Sequence, residues 1–385
     1  VLRDVYIDGI EGCHNADTLA IQARRSGRTD VSYPLRDMVL NHLNLHDDDA
    51  PNPGGIPDSL RFVGCEHLLL INSSMDKCCG RYTSSGTAMM FMAGVKDLHF
   101  VNNSFTRTPD SGSVDQCAID FEATTRQVKI RNNYFGQNAG PGIEFLDIWG
   151  AESFSEGHEV SGNAFEENGQ GTHGGQDGSG GIHHYGGNFA TGIIRDNLVY
   201  EPGRPLYHGE FLNFELENNL EAAAPLFHAV HGFGGEQGVG GWRYQTRPMG
   251  GTWRHMAQYD GERQAWLEGE PGKAAWISPY EMCNPVVDTE LARVWEAPRE
   301  GPVAVRGRAV KWQPDGAAAS IRVTLSGKLL LHEQAVPVGD WAGIEANLDE
   351  VEVQAGDLLR FEIVGTANSE SDAISWAPTV AYVAS

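Results

Sequence analysis

The sequence predicts an all-β protein in two parts, a parallel β-solenoid over residues 1–228 and an antiparallel β-sandwich over residues 229–385. Three observations predict it. A strand-like stretch ending in Asn recurs through the first part. A second strand-like stretch precedes most of those copies. After about residue 228 the repeat stops and short alternating strands take over. The 47 glycines and the many Asn-, Asp- and Gly-rich turns also favour strands over helices.

The Asn strand reads LLLINSSM (68–75), LHFVNNSF (98–105), VKIRNNYF (128–135), EVSGNAF (159–165), IIRDNLVY (193–200) and FELENNL (214–220). Aligning Ser73, Asn103, Asn133, Asn163, Asn197 and Asn219 gives steps of 30, 30, 30, 34 and 22 residues. MVLNHLNLHD (38–47) is an earlier, looser copy. One coil of this length cannot bury its inner face alone, so several must stack. The aligned Asn residues are expected at a bend, where Asn tolerates left-handed backbone and can hydrogen-bond along the stack. A leucine-rich repeat would need an LxxLxLxxN consensus and a steadier period. The pattern resembles the right-handed parallel β-helix of many secreted polysaccharide lyases and glycoside hydrolases, over roughly residues 1–228.

The second strand reads AMMFM (88–92), AIDFE (118–122), GIEFL (142–146), GIHHY (181–185) and PLYHG (205–209). Side chains alternate across a strand, so the second and fourth residues are read as inward and the third and fifth as outward. His184 and His208 are thereby assigned to the core. Stacking turns the outward residues into a column of Met90, Asp120, Glu144, His183 and Tyr207, flanked by Met92, Glu122, Leu146 and Tyr185. SLRFV (59–63) sets Arg61 one coil above Met90, at a spacing of 29.

Asp120 and Glu144 would then lie ~4.8 Å apart on adjacent coils, with Glu122 on the same face. Like charges placed opposite one another destabilise a sheet. Three readings follow: a catalytic carboxyl pair with one pKa raised by crowding, a Ca²⁺ site, since Ca²⁺ takes several oxygen ligands, or a solvated acidic face. His183, Tyr185 and Tyr207 beside the acids favour the functional readings. Trp149, in an insertion after the strand, is a candidate ring for stacking on a sugar. A Gly-rich loop, EENGQGTHGGQDGSGG (166–181), is the kind of insertion that walls a binding face. LHDDDAPNPGG (45–55) carries three consecutive aspartates without the EF-hand pattern and reads as a solvated loop.

The net charge of −24 opposes nucleic-acid binding, and no apolar run reaches the ~18–20 residues of a membrane span. Val1 leads straight into strand-like VLRDVYIDGI, so a processed or truncated form is expected. Six cysteines occur without a CxxC pair. Cys78-Cys79 suggests a disulfide, and buried thiols are the alternative.

In the second part, SIRVTLSGKLLLHEQAV (320–336), GIEANLDEVEVQAGDLLRFEIVG (343–365) and SWAPTVAYVA (375–384) are spaced as a β-sandwich. EQGVGGWRY, VWEAPREGPVAVRG and SWAPTVAY resemble jelly-roll modules appended to secreted β-helix proteins. That resemblance implies a carbohydrate-associated accessory domain, and a module that only caps the solenoid is the alternative.

The resemblance to β-helix enzymes implies a secreted or extracytoplasmic glycoside hydrolase acting on a polysaccharide or oligosaccharide. It would be a retaining enzyme that needs no cofactor. Asp120 would be nucleophile, Glu144 acid/base, and Glu122 a group tuning pKa or holding a hydroxyl, with His183 and Tyr185 positioning the sugar. A Ca²⁺-dependent polysaccharide lyase is the second expectation. It would use Ca²⁺ or a cationic residue on the substrate carboxylate, yet the columns supply only Arg61. Lys129 and Arg131 belong to the following strand. A non-catalytic adhesion or polysaccharide-binding protein is the third.

Overall fold

The computed structural model describes residues 2–13, 19–23, 27, 30, 32–47, 58–79, 88–112, 114–148, 150, 154–171, 180–269, 274–286, 288–317, 319–364 and 373–384. They form two compact units, Val1–Glu221 and Ala222–Ser385. The division falls earlier than residue 228 because Phe227–His228 pairs antiparallel with Thr379–Tyr382. Among the described residues there is no α-helix.

The first unit is a parallel β-solenoid of three sheets. Strands of successive coils pair in parallel, as Cys65–Ile71 with Val95–Val101 and that strand with Lys129–Arg131. The interior is layered by repeated apolar positions. Phe105, Phe135 and Phe165 stack at 5.2 and 5.0 Å, and Phe121 and Phe145 at 4.6 Å. Each ring closes the gap left by the coil beside it.

The aligned Asn residues form one continuous ladder. The backbone N–H of Asn103 donates to Asn133 Oδ1 at 2.9 Å, that of Asn133 to Asn163 Oδ1 at 2.8 Å, and that of Asn163 to Asn197 Oδ1 at 2.8 Å. Each amide nitrogen also reaches back to a carbonyl of the preceding coil, Asn133 Nδ2 to Phe100 O at 2.9 Å. The left-handed conformation lies one residue earlier than expected. Asn102, Asn132 and Asp196 have φ of 54°, 53° and 56°. The bend is made by the preceding residue, and the ladder Asn ties it off. A second ladder, unforeseen in sequence, runs from Asn138 to Asn168 at 2.7 Å and ends on Glu201, also at 2.7 Å.

None of the six cysteines forms a disulfide, so the one that Cys78-Cys79 suggests is not made. Lys129 and Arg131 stand on a different sheet from the acidic column.

The second unit is built from antiparallel sheets of four, six and seven strands. In the six-stranded sheet, Trp242–Pro248 pairs with Thr289–Glu296, and that strand with Leu358–Val364. Trp242, Trp295 and Trp376 are fully buried in its core.

The ladder should carry much of the solenoid's stability. Asn133→Ala orphans the Asn103 N–H and the Phe100 carbonyl, at about 1–3 kcal/mol each. Asn219→Ala, at the partly exposed last rung, should cost clearly less. Denaturant unfolding of the two variants measures the difference, and equal costs would contradict a ladder role.

Candidate functional site

The third sheet of the solenoid runs through Leu60–Val63, Ala88–Ala93, Cys117–Phe121, Ile143–Asp147, Ile182–Gly186 and Tyr207–Gly209. Its registers define two sets of side chains. Leu60, Met90, Ile119, Ile143 and Ile182 align and join the core. Arg61, Phe91, Asp120, Glu144, His183 and His208 align on the opposite parity.

Asp120, Glu144 and His183 are therefore adjacent, as expected, but two neighbours differ. Met90 aligns with Ile119 and is inward, and Phe91 takes its place in the column. The step from Phe91 to Asp120 is 29 residues, and the run AMMFMA is apolar on both parities. Tyr207 aligns with Ile182, packs on Phe211 at 5.4 Å and accepts from Asn219 Nδ2 at 2.7 Å. It packs half-buried against the core instead of standing in the column, and burial pushes its hydroxyl up to about 12. His208, expected in the core, stands in the column instead, with its ring 4.8 Å from that of His183. A shift of one residue in PLYHG exchanges the two roles.

Arg61 stacks over Phe91 with its guanidinium carbon 4.1 Å from the ring centre, and it is ion-paired to Asp58. Asp58 also accepts from the Ala88 N–H at 3.1 Å, which ties it to the next coil. Glu122 lies just past its strand, half-buried, with its N–H on Met92 O at 3.0 Å. Tyr185 is 51% exposed, 5.9 Å from His183 ring to ring. Trp149 lies outside the described residues, as do 48–55 of the Asp-rich loop and 172–179 of the Gly-rich loop.

The acids are not on a solvated face. Asp120 is 4% exposed and Glu144 0%. Burial, then the charges of Glu122, Asp115 and Glu144, raises the Asp120 carboxyl well above the usual range. One oxygen, Oδ1, has no hydrogen-bond partner among the described residues. Asp115 is a member that the sequence reading missed. It stands in the same DQCAIDFE run as Asp120 and Glu122, two residues before the strand. Its carboxyl is pushed up to about 8 by burial and by Glu144 and Glu122.

His183 Nδ1 lies 2.9 Å from Glu144 Oε1. Burial lowers its pKa to about 4, so the ring is neutral near pH 7 and shares a hydrogen bond with the Glu144 carboxyl through Nδ1. His184 is a satisfied interior residue, with Nε2 2.6 Å from Asp147 and Nδ1 2.6 Å from Glu210 O. Among the described residues, no group of three or more His, Cys, Asp or Glu side chains is arranged to hold a metal ion. The arrangement suits proton transfer: a carboxyl raised toward its protonated form beside a second carboxyl in hydrogen-bond contact with a neutral imidazole.

No protein-family profile and no curated protein matches the chain. The solved structures similar to the chain include a carbohydrate binding module and a phage tailspike domain. One is a family 35 carbohydrate binding module from Clostridium thermocellum, at 17% identity and a TM-score of 0.19, covering 31% of this chain and 94% of the module. The other is the enzymatically active domain of tailspike protein 4 of bacteriophage CBA120, at 12% identity and a TM-score of 0.21. That match covers 90% of this chain, which spans about half (54%) of the tailspike chain. Both likenesses are remote.

The buried acids set a pH dependence. Asp115, with its folded pKa near 8, binds more protons folded than unfolded between about pH 4 and pH 8. Its contribution to stability therefore falls as pH rises through that window. His183, depressed to about 4, acts oppositely and adds stability as pH rises from about 4 to about 6.5. Asp115→Asn should leave stability near pH 4 almost unchanged and raise it progressively up to pH 8. Thermal unfolding across that range tests it, and a pH-independent shift would contradict it.

Proposed function

We propose that the chain hydrolyses a glycosidic bond of a polysaccharide or oligosaccharide, with Asp120 and Glu144 as the working carboxyl pair. The observation that carries this reading is their direct register on adjacent strands in unequal environments. Strand spacing separates them by ~4.8 Å, near the ~5–5.5 Å of retaining glycosidases.

The environments favour a reversal of the expected roles. Asp120 is the group held protonated, so it is the proton donor to the leaving oxygen. Glu144 takes a hydrogen bond from neutral His183, which favours its charged form, so it is the nucleophile. Water then attacks the glycosyl-enzyme with Asp120 acting as base. Burial and the charge of Glu122 keep Asp120 protonated. Tyr185, exposed beside His183, offers a ring to the sugar. Both carboxyls are buried, so hydrolysis requires a local opening that admits the sugar. We place such an enzyme outside the cytoplasm, where polysaccharide substrates lie.

Asp120→Asn and Glu144→Gln should each lower turnover by roughly 10²-fold or more and stay folded. Products from a polysaccharide panel should carry new reducing ends and no unsaturated uronate absorbance. On an activated aryl glycoside, azide should rescue Asp120→Asn and give a glycosyl azide of retained configuration. The same rescue confined to Glu144→Gln would restore the first order of roles. Unsaturated products would point to a lyase, and wild-type rates in both variants would end the proposal.

A further inference from the structure

The six-stranded sheet of the second unit has one apolar and one polar face. Leu359, Phe361 and Ile363 of Leu358–Val364 enter the core, so Arg360 and Glu362 stand on the other face. On the neighbouring strand, Arg322 is in register with Glu362 and Thr324 with Arg360.

Two of the arginines here are neutralised. Arg322 reaches Glu362 at 2.7 Å and Glu290 at 2.8 Å, and Arg247 is paired with Glu290. Glu362 also accepts from the Thr324 hydroxyl at 2.6 Å. Arg360 is different. Its Nε donates to Gln245 Oε1 at 3.0 Å, and its guanidinium carbon lies 5.8 Å from the Trp253 ring centre. It forms no ion pair among the described residues, although the residue is only 9% exposed. Two guanidiniums thus take both buried carboxylates, and the third, Arg360, has neither as an ion-pair partner.

Burial lowers the pKa of Arg360; Glu362 opposes that shift and Arg247 adds to it. Glu362 is already shared by Arg322 and Arg247, and a buried cation without an ion pair of its own is costly. It faces a cavity of about 710 Å³ that Trp253, Leu329 and His332 also line. Glu333 is exposed at this cavity, where water screens its charge.

We infer that this cavity binds a carboxylate-bearing unit of an acidic saccharide, with the carboxylate on Arg360 and the sugar ring against Trp253 and Leu329. A planar guanidinium matches a carboxylate through two parallel hydrogen bonds. Arg247 covers one face of the Trp253 indole, its guanidinium carbon 4.3 Å from the ring centre, and the other face is the one offered to the C–H side of a pyranose. The volume is within the ~300–1,000 Å³ of small-molecule sites, more than a lone carboxylate needs. The site lies wholly within the second unit and does not depend on hydrolysis by Asp120 and Glu144.

The test is calorimetric titration of the full chain carrying Asp120→Asn, so that binding is read without turnover. The probes are an oligogalacturonide, a neutral galacto-oligosaccharide and acetate. The oligogalacturonide should bind, more weakly as salt rises, while the neutral sugar and acetate should not. Added Arg360→Gln and Trp253→Ala should each weaken binding roughly tenfold or more, the worth of a charge-assisted pair or a stacked ring. Thermal unfolding checks both variants. If Arg360→Gln does not fold, Trp253→Ala decides, because Trp253 is only partly buried. Equal binding of acetate, unchanged affinity in the folded variants, or no uronide binding would each overturn the inference.

Discussion

The constraint on which the first unit depends is the backbone at one bend, repeated once per coil. Where the chain turns, residues such as Asn102 and Asn132 adopt left-handed φ, and the strand hydrogen-bond pattern breaks. Buried N–H and C=O groups left open there are costly. The amides of Asn103, Asn133, Asn163 and Asn197 close them, each joining the coils on either side. One side chain per coil thereby sets the rung spacing. Everything registered on the other sheets inherits it, including the direct opposition of Asp120 and Glu144.

That opposition shows how a solenoid handles like charge. Stacking strands in parallel puts equivalent positions one rung apart, so two acids in one column cannot separate along the sheet. Among the acids of the column region, Asp58 takes Arg61 as a partner. Asp115 and Asp120 shift toward the protonated form. Glu144 faces His183, whose ring is kept neutral by burial. The polar face in the second unit solves the converse problem, with Arg247 and Arg322 sharing Glu290 and Glu362. In both places the uncompensated group, a protonated carboxyl or a lone guanidinium, is where chemistry or binding is proposed.

Legibility followed the strength of the local pattern. Ile119 and Phe121 alternate with acids, so their strand has one possible parity, and Asp120, Glu144 and His183 were placed correctly relative to one another. AMMFMA is apolar at every position and carries no parity, so Met90 and Phe91 were exchanged. PLYHG is short and mixed, and its one-residue shift sent Tyr207 inward and His208 outward. Arg61 stands in the column above Phe91, not Met90, and its charge is taken by Asp58.

The sequence by itself determined the solenoid, its ladder and the approximate place where the repeat ends, because each rests on residues recurring at a fixed interval. An Asn every coil and an apolar pair every coil are local signals, and stacking only adds copies of them. Tertiary structure alone decided that the acids are buried, that Asp115 joins them, and that Arg360 is left without a carboxylate. Those outcomes depend on segments distant in sequence meeting on one face, and on counting charges within a shared low-dielectric volume. No alternation or spacing along the chain records that count.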